Sequence, residues 1–266
     1  MVRNARAADF EAVPQPVIAV GNTYPPGHLH PPHRHRRAQL LYSATGLMIV
    51  GTEHGTWVVP PQRGVWIPGG VQHDIRMVGQ VSTCSAYIDP ASLETPPQTC
   101  RVVGISSLLR ALLMEAVDLP IAYEPDTRAG HVMALILHEA ASLTELPLCV
   151  PFPSNPRLAQ SCRDFLANPT AHGTIDHWAA ALAMSRRAFT RLFRRETGLS
   201  LTAWRQQACL IAALPRLIAG ESVTTVALDL GYANAAAFGG MFKRLLGTSP
   251  RQYLASTPEA ASPPES

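Results

Sequence analysis

The spacing of hydrophobic residues divides the chain into a first part typical of strands and a second part typical of helices. Over residues 1–100, short runs rich in β-branched and aromatic residues, such as LMIVG, TWVVPP and GVWIPGG, are separated by Gly and Pro. Turn residues at intervals of about eight to twelve positions, with no long helical period, are typical of a small β-sandwich or barrel. After residue 100 the apolar residues recur every three or four positions, which predicts helices.

Two amphipathic helices are predicted directly after the strand-rich part, over about residues 106–119 and 127–146. In the second, Val132, Leu135, Ile136 and Leu143 form a largely apolar stripe at helical spacing. We expect part of this region, residues 101–146, to cover the sheet. The proline-rich segment 147–156 has the composition of a linker. The tail, residues 256–266, is polar and rich in proline, which predicts disorder.

One pattern of aromatic and basic residues is written twice in the C-terminal part of the chain. The first copy is RLFRRETGLSLTAW, which begins at Arg191, and the second is GMFKRLLGTSPRQY, which begins at Gly240. A shift of 49 residues superposes Phe193 on Phe242, Gly198 on Gly247 and Trp204 on Tyr253. Two matched units in one chain predict two matched binding heads.

Each copy has the pattern of a helix-turn-helix unit. In the first, Thr174 and Ser185 are N-cap residues for two successive helices, and Gly198 ends the second of them. That second helix places Phe189 and Phe193 on one face. Its opposite face carries guanidinium and hydroxyl groups, on Arg186, Arg187, Thr190, Arg191 and Arg194. An arginine-rich front fits a DNA major groove, where guanidinium groups grip phosphates or guanine edges. The alternative is an ordinary core helix with a solvated charged face, and the duplication favours DNA binding over it.

The second copy begins near Ser222, turns at Gly231 and enters its second helix near Asn234. Phe238 and Phe242 repeat the buried stripe. The front of this helix differs, because it consists only of small residues: Ala235, Ala236, Ala237, Gly239 and Gly240. None of these side chains can donate a hydrogen bond to a base. Each glycine also weakens a helix by about 1 kcal/mol relative to alanine.

These two units resemble the DNA-binding region of the AraC/XylS family of bacterial transcription regulators. The resemblance lies in FTRLFRRETGLS and VTTVALDLGYANAAAFGGMFKRLLGTSPRQYL and in the spacing between them, and it covers about residues 157–254. It implies an all-α tandem helix-turn-helix domain over residues 157–255. The DNA-binding residues that it implies are Ser185, Arg186, Arg187, Thr190, Arg191, Arg194, Asn234, Ala235, Ala236, Gly239, Gly240, Lys243 and Arg244.

Because the second front carries no hydrogen-bonding side chains, we expect the first head to do most of the base reading. The second head would then hold the DNA backbone through Lys243, Arg244 and Arg251. A further departure from the family is Pro215, within the long helix that should join the heads. Since proline removes a backbone hydrogen bond and clashes with the preceding turn, we expect a kink there or two helices instead of one.

Net positive charge is confined to the part of the chain that carries the repeat. Residues 156–255 have twelve Arg or Lys against five Asp or Glu, a net charge of +7, whereas residues 1–155 have ten against twelve. Such a charge distribution is typical of a polyanion-binding domain. With no apolar run of about 18 residues and no signal-peptide core, we expect a cytoplasmic protein without a membrane partner. Five scattered cysteines without CxxC spacing argue against a disulfide framework or a zinc knuckle.

Two stretches of the strand-rich part resemble the cupin signature. The first motif is matched in spacing by Gly27, His33, His35, Gln39 and Gly46, with Gln39 where the usual residue is Glu. The second motif, P-x-G-x-x-H, is matched by Pro68, Gly70 and His73. The resemblance implies a cupin-like β-barrel over residues 1–100. In metal-binding cupins the matching residues converge on one divalent ion, and here they are His33, His35, Gln39 and His73.

This set predicts either a metal site or a barrel that has kept its shape and lost the ion. Three imidazoles with a neutral amide could hold Ni, Zn, Fe or Cu, because imidazole suits all four. We expect His28 and His30 to be loop residues outside the ligand set. Aromatic residues such as Tyr87 either line the mouth of the barrel or belong to its core, and alternation along a strand does not decide which.

A cupin-like sensor followed by two matched heads resembles the cupin-sensor subgroup of the AraC family. The resemblance implies an α+β multidomain regulator that binds a double-stranded DNA operator and responds to a small molecule or a metal ion. It also implies a homodimer formed through residues 101–146, and a contact with RNA polymerase if the regulator is an activator. The alternative is a metal-dependent cupin dioxygenase or isomerase with an accessory DNA-binding domain, which Gln39 and the arginine-rich repeat disfavour. A nonspecific architectural DNA binder would not need a barrel with a pocket.

Overall fold

The computed structural model describes residues 13–255, which form two compact units. The first unit consists of residues 13–52 and 57–146, and the second of residues 53–56 and 147–255. Among these residues, no helix combines the length and the apolar character needed to cross a membrane.

The first unit is built on an antiparallel sheet, whose strand order is β1-β6-β3-β5-β7-β8, with β2 also paired to β6. The strands are β1 (Val17–Tyr24), β2 (Leu29–His33), β3 (Ala38–Thr52), β4 (Gly55–Val59), β5 (Arg63–Ile67), β6 (His73–Ile88), β7 (Arg101–Gly104) and β8 (Glu145–Leu146). The long strands β3 and β6 pair over most of their length and form the centre of the sheet. This antiparallel, sheet-rich unit confirms the predicted fold class.

Alternation along the central strands sends their side chains to two different environments. Leu40 and Tyr42 of β3 are buried in one hydrophobic core, together with Ala86 of β6. Because successive side chains of a strand point to opposite faces, the polar residues next to them in sequence face the other side of the sheet. These residues, Gln39, Ser85 and Tyr87, are buried as well.

Two helices cover the apolar face of the sheet. They are α1 (Ser107–Ala116) and α2 (Arg128–Ala140), which begin after the N-caps Ser106 and Thr127. Leu113 and Ile136 are fully buried in the core shared with the sheet. Residues 101–104 and 145–146, within the predicted helical region, instead form β7 and β8. The second helix therefore ends six residues earlier than predicted, because the chain returns to the sheet edge.

The second unit is almost entirely helical. Its elements are β9 (Cys149–Pro151), α3 (Pro156–Ala167), α4 (Ile175–Ala181), α5 (Arg186–Thr197), α6 (Leu201–Ile218), α7 (Val223–Asp229), α8 (Ala235–Leu246) and α9 (Pro250–Ala255). We call α4 with α5 the first head and α7 with α8 the second head. The segment with linker composition, residues 147–156, contains the strand β9 and ends where α3 begins.

The second helices of the two heads, α5 and α8, which we call the recognition helices by analogy with other helix-turn-helix units, have matching lengths and matching ends. Each has twelve residues, and their bounds differ by the 49 residues found in the sequence repeat. The N-caps are Ser185, which accepts from the N–H of Ala188, and Asn234, which accepts from the N–H of Ala237. Both helices end on a left-handed glycine, with φ of 74° at Gly198 and 77° at Gly247. The duplicated sequence therefore encodes duplicated local geometry.

An aromatic cluster holds the first head together. The ring of Trp178 on α4 lies 6.2 Å from that of Phe193 on α5 and 6.0 Å from that of Trp204 on α6, measured between centroids. Phe189 is also fully buried and 5.6 Å from Phe193. Phe193 also lies 6.0 Å from Trp204. The equivalent residues of the second copy, Phe242 and Tyr253, make the same contact at 5.5 Å. Such contacts fix each recognition helix by its apolar face.

The turn between the two helices of a head shows one difference between the copies. Gly231 occupies the turn of the second head with φ of 76°, and Ala183 occupies the equivalent turn with φ of 53°. The backbone pattern is the same, since Met184 N–H donates to Ala179 O and Tyr232 N–H donates to Ala227 O. A left-handed conformation costs a residue with a Cβ atom roughly 1–2 kcal/mol, so the first head retains this turn at some cost in stability.

The connector between the heads is one helix, α6, and the predicted alternative of two helices is wrong. Pro215 is the fifteenth of its eighteen residues. The missing N–H of Pro215 removes the hydrogen bond that the Ile211 carbonyl would accept, and the helix ends three residues later. The helix continues beyond it, because Ala219 N–H donates to Pro215 O at 3.0 Å.

Candidate DNA-binding surface and histidine site

The front of α5 presents its guanidinium groups to solvent. Arg187, Arg191 and Arg194 are exposed, whereas the phenylalanines on the back of the helix are buried. The Thr190 hydroxyl donates to the Arg186 carbonyl at 2.8 Å, so its hydrogen is already engaged within the helix. All members of this part of the predicted DNA-binding set, Ser185, Arg186, Arg187, Thr190, Arg191 and Arg194, thus lie on the N-cap or on the solvent side of one helix.

One of these arginines has an acidic neighbour in the same head. Arg186 Nη1 lies 3.7 Å from Asp176 Oδ2 on α4, and both side chains are largely exposed. A salt bridge in such an environment contributes little to stability, and a phosphate can compete for the guanidinium. The remaining arginines of this front are therefore the stronger candidates for base contacts.

The front of α8 is the equivalent surface of the second head, and only alanine and glycine residues line it. Ala236 and Gly240 are exposed, and Ala235 and Gly239 are half-buried. A Cβ atom added at either glycine would meet nothing within 4 Å, so no packing requirement explains them. This bare surface can approach DNA closely, but it offers only alanine methyl groups to bases.

Basic groups in the second head lie further along the chain. Lys243 and Arg244 occupy the last turn of α8, and Arg251 is on α9; all three are exposed. Cations in the last turn of a helix are stabilised by the helix dipole. They are suited to phosphates, since phosphate contacts need charge and position but no base pattern.

A cluster of salt bridges, which the sequence patterns did not reveal, joins the second head to the connector helix α6. Arg216 of α6 donates to both oxygens of Glu221, with Nε–O distances of 3.1 and 3.0 Å, and also pairs with Asp229 on α7. These two hydrogen-bonded carboxylates raise the pKa of Arg216 and keep it charged. The bidentate geometry makes this pairing more specific than a simple surface ion pair. Because Glu221 and Asp229 lie 5 and 13 residues after Arg216, no sequence motif predicts these pairs.

In the first unit, the predicted histidines come together on the polar face of the sheet. His33 ends β2, His73 begins β6, and these two residues are paired in the register of the strands. His35 lies in the loop that leads to β3, where Gln39 follows. The candidate ligand atoms of the three histidines all lie within 4.8 Å of one another. We call His33, His35, Gln39 and His73 the inner histidine site.

Backbone carbonyls fix the orientation of all three rings. Nδ1 of His33 lies 2.9 Å from Pro31 O, Nδ1 of His35 lies 2.6 Å from Arg37 O, and Nδ1 of His73 lies 2.9 Å from Val71 O. Because a carbonyl can only accept, each Nδ1 carries the hydrogen, and Nε2 of the neutral ring presents a lone pair. Metal-binding histidines are oriented in the same manner, by a hydrogen bond from their other nitrogen.

His73 is the most deeply buried member of the site, with 1% of its surface exposed. Its Nε2 atom has no hydrogen-bond partner among the described residues. Burial, together with the neighbouring imidazoles, lowers the pKa of His73 from 6.5 to about 4, against the opposing effect of its bond to Val71. The ring is therefore neutral near pH 7, which is the form that binds metal ions.

Gln39 connects the site to the centre of the sheet. Its amide nitrogen lies 3.0 Å from Ser85 Oγ and 3.1 Å from the Tyr87 hydroxyl, and its Oε1 lies 3.2 Å from His35 Nε2. Since Nε2 of neutral His35 is an acceptor, two acceptors face each other there. A cation between them relieves this conflict, and so does a turned amide that donates to the ring and accepts from the hydroxyl groups.

The separation of one pair of donors in this set agrees with a shared divalent first-row metal ion. Two ligand atoms about 2.1 Å from one ion are about 3.0–3.4 Å apart for ligand angles between octahedral and tetrahedral. The His35–Gln39 separation of 3.2 Å has this value. The unsatisfied Nε2 of His73 is a second indication, because buried polar atoms are rarely left without a partner. Three imidazoles and an amide oxygen are ligands that Ni, Zn, Fe and Cu accept.

One residue near the site differs from the sequence prediction, and for two others the structure supplies what the sequence left open. His30 is a residue of β2 and not of a loop. Tyr87 is buried, and its ring lies edge-on to His35 at 5.3 Å, so it packs against the site. Ser85 was not predicted at all. Only the strand register, which pairs β3 with β6, brings it to Gln39.

The first unit also has cavities whose lining does not include the inner histidine site. One has a volume of about 350 Å³ and lies beside the start of β1 and the helix α2. Its lining is mainly apolar and includes Pro16, Tyr123, Met133 and Leu137. This volume is within the range of small-molecule sites.

Comparisons with known families agree with both halves of this description. Residues 15–141 match the model of the AraC-like ligand binding domain, and residues 178–256 match that of a helix-turn-helix domain. A ligand-binding sheet domain joined to a tandem helix-turn-helix region defines a DNA-binding transcription regulator.

Related proteins identify the family. The HTH-type transcriptional regulator NimR of Escherichia coli (strain K12) is 35% identical over 237 residues, which are 88% of this chain and 86% of that protein. The chain therefore belongs to the AraC family of HTH-type transcriptional regulators. The regulator MtrA of Neisseria gonorrhoeae is 33% identical over 103 residues, 36% of this chain and 33% of that protein.

Among solved structures, ToxT from Vibrio cholerae covers 92% of this chain and all of its own, with 9% identity and a TM-score of 0.39. The DNA-binding domain of AdpA, solved in complex with a target DNA, is 33% identical. The match covers 38% of this chain and 91% of the AdpA domain, with a TM-score of 0.35.

The low pKa of His73 predicts a pH dependence of stability. In protein stripped of divalent ions, the free energy of unfolding should fall as the pH is lowered from 6.5 to about 4, because the unfolded chain takes up this proton first. The full contribution is about 3 kcal/mol, at 1.36 kcal/mol for each unit of pKa difference. Urea unfolding at a series of pH values measures it. The variant His73→Gln should lose this part of the profile, and an unchanged profile in that variant contradicts the assignment.

Proposed function

We propose that the two heads divide the work of operator recognition, with the first reading bases and the second holding the DNA backbone. The observation that carries this proposal is the contrast between two helices of equal length and equal capping. The front of α5 is lined by exposed arginines, and the front of α8 is bare. Arginine forks onto guanine edges in the major groove, whereas alanine can only touch a thymine methyl group.

We further propose that the inner histidine site takes the effector, in the form of a divalent metal ion. The support is the geometry of its donors. The ligand atoms of three oriented imidazoles lie within 4.8 Å of one another, and one of them, Nε2 of His73, has no hydrogen-bond partner among the described residues. Bound at the site, the ion would be held by His33, His35, His73 and Oε1 of Gln39. A small organic effector is the alternative, and the apolar cavity beside α2 is the place that favours it.

Sensing, and not catalysis, is the role that we infer for this site. The neutral Gln39 stands where metal-dependent cupin enzymes carry an acid, and its amide is engaged with Ser85 and Tyr87. The cationic tandem heads have no part in the turnover of a small molecule. As a regulator of transcription the protein would act on DNA in the bacterial cytoplasm, and as an activator it would also contact RNA polymerase.

A homodimer is the assembly that we propose for the first unit, residues 13–52 and 57–146, which we call the sensor unit. Leucine side chains on both of its helices are exposed to solvent, namely Leu108 on α1 and Leu135 on α2. The two helices pack against each other, so a symmetric interface formed by both of them would cover both leucines. Two copies would place two pairs of heads on one operator.

The division between the heads predicts opposite effects of two variants on DNA binding. Arg187→Ala combined with Arg191→Ala should lower the preference for a selected operator over random DNA by at least tenfold, since each base contact contributes about 1–3 kcal/mol to discrimination. Lys243→Ala should weaken binding to both DNAs by equal factors and lower the salt dependence by about one ion. Fluorescence anisotropy titrations at several salt concentrations measure both.

The matched control for these variants is Arg157→Ala, which removes an exposed arginine of the same unit outside both heads. It should leave the preference between the two DNAs unchanged. An intact preference in the double variant, with loss of preference in Lys243→Ala, would reverse the proposed roles.

The metal proposal predicts the ion content of the purified protein. After incubation with Zn, Ni, Cu or Fe and removal of loosely held ions, the wild type should retain one ion per chain, by elemental analysis. His35→Ala with His73→Ala should retain none, because it removes two convergent donors. His131→Ala with His138→Ala, which removes two exposed histidines of α2, is the control and should behave as the wild type. Equal metal content in all three proteins would rule out the site.

The dimer proposal predicts a change of mass on introducing charge into the exposed helices. Sedimentation equilibrium should give twice the mass of one chain for the wild type, and the mass of one chain for Leu108→Asp with Leu135→Asp. Leu228→Asp alters an equally exposed leucine of α7 and should remain dimeric. A monomeric wild type refutes the proposal.

A further inference from the structure

Two more histidines and a tyrosine form a second ring cluster, next to the inner histidine site. The centroid of the His28 ring lies 4.9 Å from that of His30, at an interplanar angle of 77°. Tyr24 completes the cluster, stacked on His28 at 5.0 Å and edge-on to His30 at 4.9 Å. All three side chains are half-buried. We call His28 and His30 the outer histidine pair.

The backbone that carries this pair is held firmly by β6. Gly27 N–H donates to Met77 O at 3.2 Å, and Met77 N–H donates to His28 O at 2.9 Å. His30 follows on β2, where it is paired with Ile75. Anchoring of this kind keeps the backbone that carries both imidazoles in place before any ligand arrives, which lowers the entropic cost of binding.

The spacing of the two rings is that of imidazoles that share an ion. A metal ion about 2.1 Å from an imidazole nitrogen is about 3.2 Å from the centre of that ring, so two such rings have centroids about 4.5–5.2 Å apart for octahedral to tetrahedral angles. The 4.9 Å between His28 and His30 lies inside this interval. In the inner histidine site, the ring centroids of His35 and His73 are 5.1 Å apart, which also lies inside this interval, whereas His33 lies outside it, at 4.4 Å from His73 and 6.1 Å from His35.

The two groups of histidines form one continuous series. His30 lies 5.9 Å from His33 between ring centroids, and His33 lies 4.4 Å from His73. Exposure decreases along the series, from the half-buried His30 and His33 to His73, which is almost completely buried. Adjacent ligands at decreasing exposure are suited to passing an ion inward without releasing it to water.

We propose that the outer histidine pair is a second, weaker binding position for a divalent metal ion, from which the ion passes through His33 to the inner histidine site. This rests on the proposed metal function of that site. With two imidazoles and water as ligands, the outer position binds Cu²⁺ in preference to Ni²⁺ and Zn²⁺, in accordance with the usual order of affinities. It sets the rate of loading, and the inner site sets the final affinity.

The simpler account of this cluster is that the three rings only pack against one another. Ring packing contributes to stability, but it gives no metal stoichiometry and no effect on loading rates. Metal titration therefore separates the two accounts.

The experiment compares the metal-free full-length wild type with two double variants, His28→Gln with His30→Gln and His35→Ala with His73→Ala. Calorimetric titration with CuCl₂ gives the number of ions, and stopped-flow absorbance gives the rate of loading. The wild type should bind one ion tightly and a second at least tenfold more weakly. The outer variant should keep the tight ion at unchanged affinity, lose the weak ion and load at least fivefold more slowly. The inner variant should keep only the weak ion.

Each other outcome has a definite meaning. If His28→Gln with His30→Gln still binds two ions, the outer position does not exist. If it loses the weak ion and loads at the wild-type rate, the passage to the inner site is refuted. A wild type that binds only the weak ion supports the outer position and contradicts the inner metal site, so the two proposals can fail separately. A wild type that binds no ion overturns both. His131→Gln with His138→Gln should match the wild type throughout.

Discussion

Burial of one aromatic face is the constraint on which the DNA-binding surface depends. Phe189 and Phe193 must leave water, and Trp178 and Trp204 are the rings against which they pack. A fully buried Phe contributes several kcal/mol, far more than any exposed arginine. Because the back of α5 is fixed in this manner, its front has to carry the arginines into solvent. The caps at Ser185 and Gly198 then set where that front begins and ends.

Much of this arrangement could be predicted from the sequence, because it depends on local rules. The repeat of 49 residues, the capping residues and the glycines with positive φ are all visible as residue types at fixed spacing. The inner histidines were predicted by a motif and are brought together by the strand register. What the sequence could not provide are the contacts that cross long distances in the chain, such as Gln39 with Ser85 and Tyr87. Those contacts depend on how β3 and β6 pair, and several registers are compatible with the same alternation.

The differences from expectation have local physical causes. The connector remains one helix because Pro215 lies in its last turns, where a single lost hydrogen bond is tolerated. The turn of the first head uses Ala183 where the second uses Gly231, which a search for glycine would miss. In the second head, a Cβ atom at Gly231 would lie 2.6 Å from Thr170 Oγ1, so there the glycine is also required by space. In the sensor unit, β7 and β8 show that the sheet recruits segments beyond the strand-rich part of the sequence.

The central claim is that this chain reads a defined DNA sequence through cationic heads whose use is governed by the sensor unit. Its most direct measurement is the recovery of genomic fragments by the purified full-length protein, with and without divalent metal ions, followed by sequencing of the protected sites. The account predicts a small number of sites that share one motif and whose occupancy changes with the ion. Uniform occupancy of all fragments, governed only by salt concentration, would contradict it.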